Sequence, residues 1–190
     1  MIHINLDQPL LYDGSQIEPL WAFKIHKIKE SSIVTWTGPM NIETSNVLDY
    51  EDVGLEIKAN EMIHFIIEHF DCQPPDMRMA YHRQRIMVMI VKEVLAEHNI
   101  FCQREGDDLY VDGNKLTVSI ATCSKSSIKI HFGINMVSEG TPDDVKTIGI
   151  IECDDNLKRE DVEKIVTKIC TKYISEISAI DKDIAKTRVF

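Results

Sequence analysis

The chain has 190 residues, 44% of them apolar, and a formal net charge of −10 from 31 acidic and 21 basic side chains. That length and composition suit one globular domain, residues 1–190, with a real hydrophobic core. The negative balance argues against nonspecific nucleic-acid binding and against adhesion to anionic lipid, because both depend on lysine and arginine.

The N-terminal stretch "MIHINLDQPLLYDGSQ" has no basic segment followed by an apolar run, so no signal peptide is expected. No apolar stretch has the length needed to span a bilayer. The five cysteines, Cys72, Cys102, Cys123, Cys153 and Cys170, are odd in number and irregular in spacing. Reduced thiols in a cytoplasm fit that pattern better than a disulfide framework.

In chain order, "PLWAFKIHKI" (19–28) and "SSIVTWTG" (31–38) read as strands, with Gly14 and Gly38-Pro39 as punctuation. "NIETSNVLDYEDV" reads as a polar loop or short strand. "ANEMIHFIIEHF" (59–70) fits a helical period, with Met62, Ile66 and Phe70 on one face and Asn60 as its cap. Pro74-Pro75 breaks that pattern. A second helix is expected over "HRQRIMVMIVKEVLAEHN" (82–99), ending at Asn99. Strands follow at 109–111, 115–121 and 128–136, with Asp112-Gly113 as a tight hairpin turn. "KTIGIIEC" (146–153) reads as a last strand. A long amphipathic helix closes the chain, its stripe running from Val162 to Ile177. Hairpins outnumber crossovers, so the fold class is α+β with a mostly antiparallel central sheet backed by helices.

One sheet face draws attention. Residues two apart on a strand share a face. Lys115, Thr117, Ser119 and Ala121 should therefore point together, as should Lys129, His131, Gly133 and Asn135 on the next strand. The simplest register sets Ser119 beside His131, Thr117 beside Gly133 and Lys115 beside Asn135. Two readings stand side by side. The face is an ordinary solvated one, or its small residues floor a site in which the Lys115 cation meets a carbonyl or phosphate oxygen.

Elsewhere, "MRMAYHRQR" puts Arg83 and Arg85 in or near a helix's first turn, where cations oppose the dipole and a bound anion would relieve them. Pairing with Asp76 or other acids is the plainer reading. His64 and His69 are five apart and do not share a helix face, and no Cys-x-x-Cys occurs, so no metal site is assigned. Trp21 and Trp36 read as core or cleft aromatics. The apolar C-terminal stripe is core, and it could also join a homodimer.

"DLYVDGNKLTVSIAT" followed by "IKIHFGINM" resembles the core of the biotin and lipoate protein ligase superfamily, which includes octanoyl transferases. "FGINM" is similar to the Gly-Ile-Asn ending of biotin ligases. "VTWTGPMNI" faintly resembles the transferase segment Thr-Tyr-His-Gly-Pro-Gly. The good match covers 86–136. The whole chain resembles an uncharacterised, mainly archaeal family of that superfamily, whose sheet is shared with class II aminoacyl-tRNA synthetase cores.

The resemblance carries Lys115 onto the lysine that contacts the acyl carbonyl or acyl adenylate. It carries Cys153, in "IGIIECDD", onto the neighbourhood of the acyl-accepting cysteine of octanoyl transferases. The Arg-x-x-Gly-Gly-Gly loop of the family is absent, and Gly38-Pro39 is what remains of it. Glu152 and Asp154 flank Cys153 and should raise its pKa. The implied activity is transfer or ligation of an activated carboxylic acid, with Lys115 and Cys153 catalytic. Thr117, Ser119, His131, Gly133, Asn135 and Gly38 would bind substrate, and Arg83 and Arg85 would attract a phosphate or an acidic acyl-carrier protein. ATP or an acyl carrier would be the co-substrate. The alternative is a non-catalytic relative that binds a small molecule or protein in the same cleft. A synthetase-like accessory touching tRNA is disfavoured by the net charge.

Overall fold

Runs rich in β-branched and aromatic residues build a five-stranded sheet in this computed structural model, which describes residues 1–190. The strands are β1 (Ile2–Asn5), β2 (Ser32–Asn41), β3 (Lys58–His69), β7 (Thr117–Cys123) and β8 (Ile128–Asn135), in spatial order β1-β2-β3-β8-β7. Only β1 and β2 run parallel. A smaller three-stranded sheet joins β4 (Gln103–Glu105), β5 (Asp108–Val111) and β6 (Asn114–Lys115). The helices are α1 (Trp21–His26), α2 (Met77–Glu97) and α3 (Arg159–Lys186). The fold is thus α+β, with a mostly antiparallel sheet.

The sheet is covered unequally. On one face, Ile63, Phe65 and Ile67 of β3 and Ile128, Ile130, Phe132 and Ile134 of β8 pack with the apolar stripes of α2 and α3. On the other, Val34, Trp36, Met62 and Ile66 pack under Tyr12, Trp21, Ala22 and Ile28 from the 12–28 segment. That second layer covers only part of the sheet, and the uncovered part becomes a cleft.

Four expectations change. Residues 58–69 form a strand, not a helix, because β3 is central and buried on both faces. A strand buried on both sides loses its two-residue alternation, and the apolar run then fits a helical period as well. The 19–28 segment contains the six-residue helix α1 rather than a strand. Left-handed Leu20 (φ 64°) and Lys27 (φ 58°) bound it, and Trp21 and Ala22 turn inward. The 146–153 segment is not a strand but a loop ending in a 3-10 turn at Ile150–Glu152. The Glu152 carboxylate accepts hydrogen bonds from the Ser138 and Gly149 amides and holds that turn. Finally, α2 begins at Met77, where the Asp76 carboxylate caps the Met79 amide at 2.9 Å.

The register of β7 also differs. The Asp112-Gly113 turn forms as expected, both residues having positive φ. The strand after it, however, is interrupted at Leu116. The Leu116 amide donates to Leu109 in the small sheet, while its carbonyl accepts from Asn135 in the large one. This hand-off resets the side-chain parity, so Leu116 and Ala121 share one core. Ile120 therefore stands opposite His131, and Val118 opposite Gly133. Thr117, Ser119 and Ala121 lie on the helix side of the sheet. Their small size makes room for α2, as the hydrogen bond from Gln84 Nε2 to Ser119 Oγ (2.8 Å) attests.

Candidate functional site

The cleft has a volume of about 420 Å³. Val118, Ile120, His131 and Asn135 of β7 and β8 line it from the sheet, and Tyr12, Met40 and Ile57 form an apolar wall. Two loops form its roof and rim, residues 46–57 and 141–147. The second is tied to the floor through Lys115, whose amide donates to the Lys146 carbonyl and whose carbonyl accepts from the Ile148 amide.

Lys115 does reach this cleft. Its ammonium lies 2.8 Å from Asp108 Oδ2, with the side chain one-quarter exposed. Burial raises the Asp108 pKa, and the Lys115 charge opposes that rise. Asp52 is pushed up by burial and by Asp49. Seven carboxylates (Asp49, Glu51, Asp52, Glu56, Asp107, Asp108, Asp144) line the cleft against two lysines, Lys58 and Lys115.

Beneath the rim lies a stacked, buried aromatic group. His131 stacks on Tyr12 at 3.7 Å between ring centroids and 15° between planes. Its Nε2 lies 3.1 Å from His64 Nδ1, and His64 Nε2 lies 3.2 Å from the Gly38 carbonyl oxygen. Trp36 stacks on His64 and sends its indole N–H to the Leu10 carbonyl at 2.7 Å. Burial lowers the His64 pKa to about 4, and burial together with His64 holds His131 well below its ordinary value. Both rings are neutral near pH 7.

Of the residues singled out from sequence, Lys115, Ser119, His131 and Asn135 border the cleft. Ser119 does so from the far side of its strand, held by Gln84 and Asp107. The others are elsewhere. Thr117 is buried, its Oγ1 accepting from the Leu109 amide at 2.9 Å. Gly133 is not an open floor, because the Met62 thioether fills the space above it. Gly38 serves the backbone: a Cβ there would overlap the Leu10 carbonyl. Cys153 packs against the helix-side core and donates to the Gly149 carbonyl at 3.3 Å. Burial, followed by Cys102, Glu152 and Asp112, pushes its pKa up to about 11, which disfavours the thiolate.

The arginines are also committed. Arg83 forks onto Asp71 at 2.7 and 2.6 Å, and Arg85 pairs with Asp107 at 2.8 Å. The earlier start of α2 places both beyond its first turn, so the dipole conflict that suggested an anion site does not arise. No group of three or more His, Cys, Asp or Glu side chains converges to hold a metal ion, and no helix is long and apolar enough to cross a membrane.

Sequence reasoning missed Tyr12, His64 and Asp108. One signal was present. The tripeptide Ile-His-Phe occurs at 63–65 and at 130–132, and those two stretches pair in adjacent strands with Phe65 opposite Phe132.

Comparison with known proteins agrees with this architecture. The family model described as "Domain of unknown function (DUF366)" matches residues 1–188. "Uncharacterized protein MJ0805" of Methanocaldococcus jannaschii is 42% identical over 182 residues, covering 93% of this chain and 79% of that protein. A solved "Protein of Unknown Function" from Pyrococcus horikoshi superposes with a TM-score of 0.91 at 34% identity, covering 100% of both chains. The biotin protein ligase of Aquifex aeolicus, solved with biotin and ATP, gives a TM-score of 0.61 at 14% identity over 92% of this chain and 68% of that one. That last likeness is one of fold, and a structure described as a "putative lipoate protein ligase" from T. acidophilum shares it, with a TM-score of 0.58 at 10% identity over 92% of this chain and 86% of that one. The chain belongs to the DUF366 family, and its fold resembles that of biotin and lipoate protein ligases.

Proposed function

We propose that this protein binds a small organic molecule in the cleft over β7 and β8. The cavity carries the reading: its 420 Å³ falls within the range of about 300–1,000 Å³ typical of ligand sites. Apolar walls from Val118, Ile120, Met40 and Ile57 surround a few convergent polar groups, those of Lys115, His131 and Asn135. Three features favour binding over acid activation. The Lys115 ammonium is engaged by Asp108. Cys153 sits apart from the cleft with a raised pKa. A polyphosphate would meet seven carboxylates and two lysines.

A second reading is favoured by the position of Lys115. If its ammonium parted from Asp108, it could reach an acyl carbonyl oxygen in the cavity and stabilise charge developing there. The chain would then transfer or ligate an activated carboxylic acid, with ATP or an acyl-carrier protein as co-substrate.

One experiment separates the two. The protein is incubated with ATP and a panel of carboxylic acids, then with acyl-carrier proteins, and followed by intact mass spectrometry. In parallel, thermal denaturation is measured with a panel of metabolites. The binding reading expects a raised melting temperature with some metabolites, lost in Val118→Trp, and no adenylate or acyl adduct. An adduct would put the second reading first. Stabilisation that survives Val118→Trp would place the ligand elsewhere, and no stabilisation by any metabolite would count against binding altogether.

A further inference from the structure

The hydrogen bonds beneath the cleft fix where two protons sit. A carbonyl oxygen only accepts, so His64 Nε2 must carry the proton of its bond to Gly38. In the neutral ring Nδ1 is then bare. The proton between the rings therefore belongs to His131 Nε2. His131, neutral as well, is left with a bare Nδ1. That atom has no protein partner. Three side-chain polar atoms are sealed without a partner, His26 Nε2, Ser32 Oγ and His69 Nδ1, and His131 Nδ1 is not among them. With 2% of the residue exposed and its side chain lining the cleft, the bare nitrogen opens onto the cavity.

Two neighbours have the same polarity. Asn135 Nδ2 donates to the Lys115 carbonyl at 3.3 Å, which orients the amide and leaves its Oδ1 as an acceptor in a residue 2% exposed. At the mouth, Asp49, Glu51 and Asp144 are exposed carboxylates without a cationic partner. With the Lys115 ammonium engaged by Asp108, acceptors within and anions at the entrance suit a ligand that brings the hydrogens. A carboxylate would set lone pairs against lone pairs, and a buried polar group left unmatched is costly.

We infer that the cleft selects a small nitrogen compound with N–H donors on an apolar body, an amine ahead of an amide, and that His131 Nδ1 is the acceptor that reads it. The inference rests on the binding reading above and specifies its ligand class. A backbone carbonyl thus determines what the cavity recognises through two imidazoles, neither of which is charged.

The test uses three compounds with one eight-carbon body, octylamine, octanamide and octanoate, titrated by calorimetry at pH 7. Octylamine should bind most tightly, then octanamide, with octanoate weaker than either by about tenfold or more, as one charge-assisted hydrogen bond implies. Val118→Trp should abolish all three. Octanoate binding as tightly as octylamine would overturn the selection while leaving ligand binding intact. If none of the three binds, the selection is overturned too, and the metabolite panel judges the broader reading independently. His131→Phe keeps a ring against Tyr12 and removes its acceptor, so the preference for octylamine should shrink several-fold, and an unchanged preference would overturn the role given to His131. Nitrogen-15 spectra of the histidine side chains provide a second readout that does not depend on the folding of the variant. Nδ1 should be unprotonated in both His64 and His131, and the His131 Nδ1 signal should shift with octylamine. A protonated Nδ1 on free His131 would overturn the proposal.

Discussion

Two pairs of polar residues lie on one face of the β3–β8 ladder, and they solve burial in opposite ways. At one end Glu68 stands directly opposite Lys129, each side chain 1% exposed, with the ammonium 3.3 Å from the carboxylate. Ser127 Oγ and the Leu20 amide complete the shell of Glu68 Oε1 at 2.7 and 2.8 Å. At the other end, His64 and His131 are joined by a neutral hydrogen bond beside an open cavity. The sealed end carries compensated charge. The open end carries none, and leaves a lone pair unspent. A buried polar pair that is fully satisfied stabilises a fold, whereas one left incomplete at a cavity is available to a ligand.

The largest test breaks the sealed end. Lys129→Met leaves the Glu68 charge buried without its cation, and chemical denaturation should show a loss of about 3–5 kcal/mol. Adding Glu68→Gln removes that stranded charge and should restore most of the loss. A single variant as stable as the parent would mean that the ion pair is not sealed.

The second test titrates the open end. The His64 ring is held near 4 in the native state and titrates near 6.5 when unfolded. Below pH 6.5 the unfolded chain takes up a proton that the native ring refuses. Stability contributed by the neutral ring is therefore present above pH 6.5, and it falls by about 1.4 kcal/mol per unit between 6.5 and 4. Burial lowers His131 and His69 as well, so they act in the same direction. Denaturation midpoints at pH 7 and pH 5 should differ accordingly, and equal midpoints would contradict the buried neutral pair.

A smaller pair of variants probes the glycines around the histidines. Gly38→Ala drives a methyl into the Leu10 backbone, which cannot swing aside, and should cost about 1–3 kcal/mol. Gly133→Ala meets the end of the Met62 side chain, which can rotate, and should cost less. Equal losses would place rigid backbone over Gly133 too.

Much of the architecture was legible in the chain. The stripes of α2 and α3 face one core, so their helical period stands out. The Asp112-Gly113 turn follows from the positive φ that both residues must adopt. The resemblance over 86–136 pointed to the ligase-like sheet. The site was legible only in part, because its partners are distant in sequence. Asp71 and Asp107 claim Arg83 and Arg85, and nothing local to the "MRMAYHRQR" stretch announces either pairing. His64 was hidden in a run whose two buried faces imitate a helix. The expected register of β7 was one residue out, because parity is reset at Leu116, where the backbone bonds to two sheets at once.

By itself the sequence determined the fold class, the long helices and the hairpin, since each follows from short-range pattern and local backbone chemistry, and it left open whether Lys115 stands on a solvated face or beside a ligand-sized hollow. Only the tertiary structure decided which face of β7 meets α2, that Asp108 holds the Lys115 ammonium, and that His131 pairs with His64 beside the cavity. Those outcomes depend on strand pairing across 67 residues between His64 and His131 and on a proton placed by the Gly38 carbonyl. Hydrogen bonding between distant strands sets them, and no local periodicity encodes it.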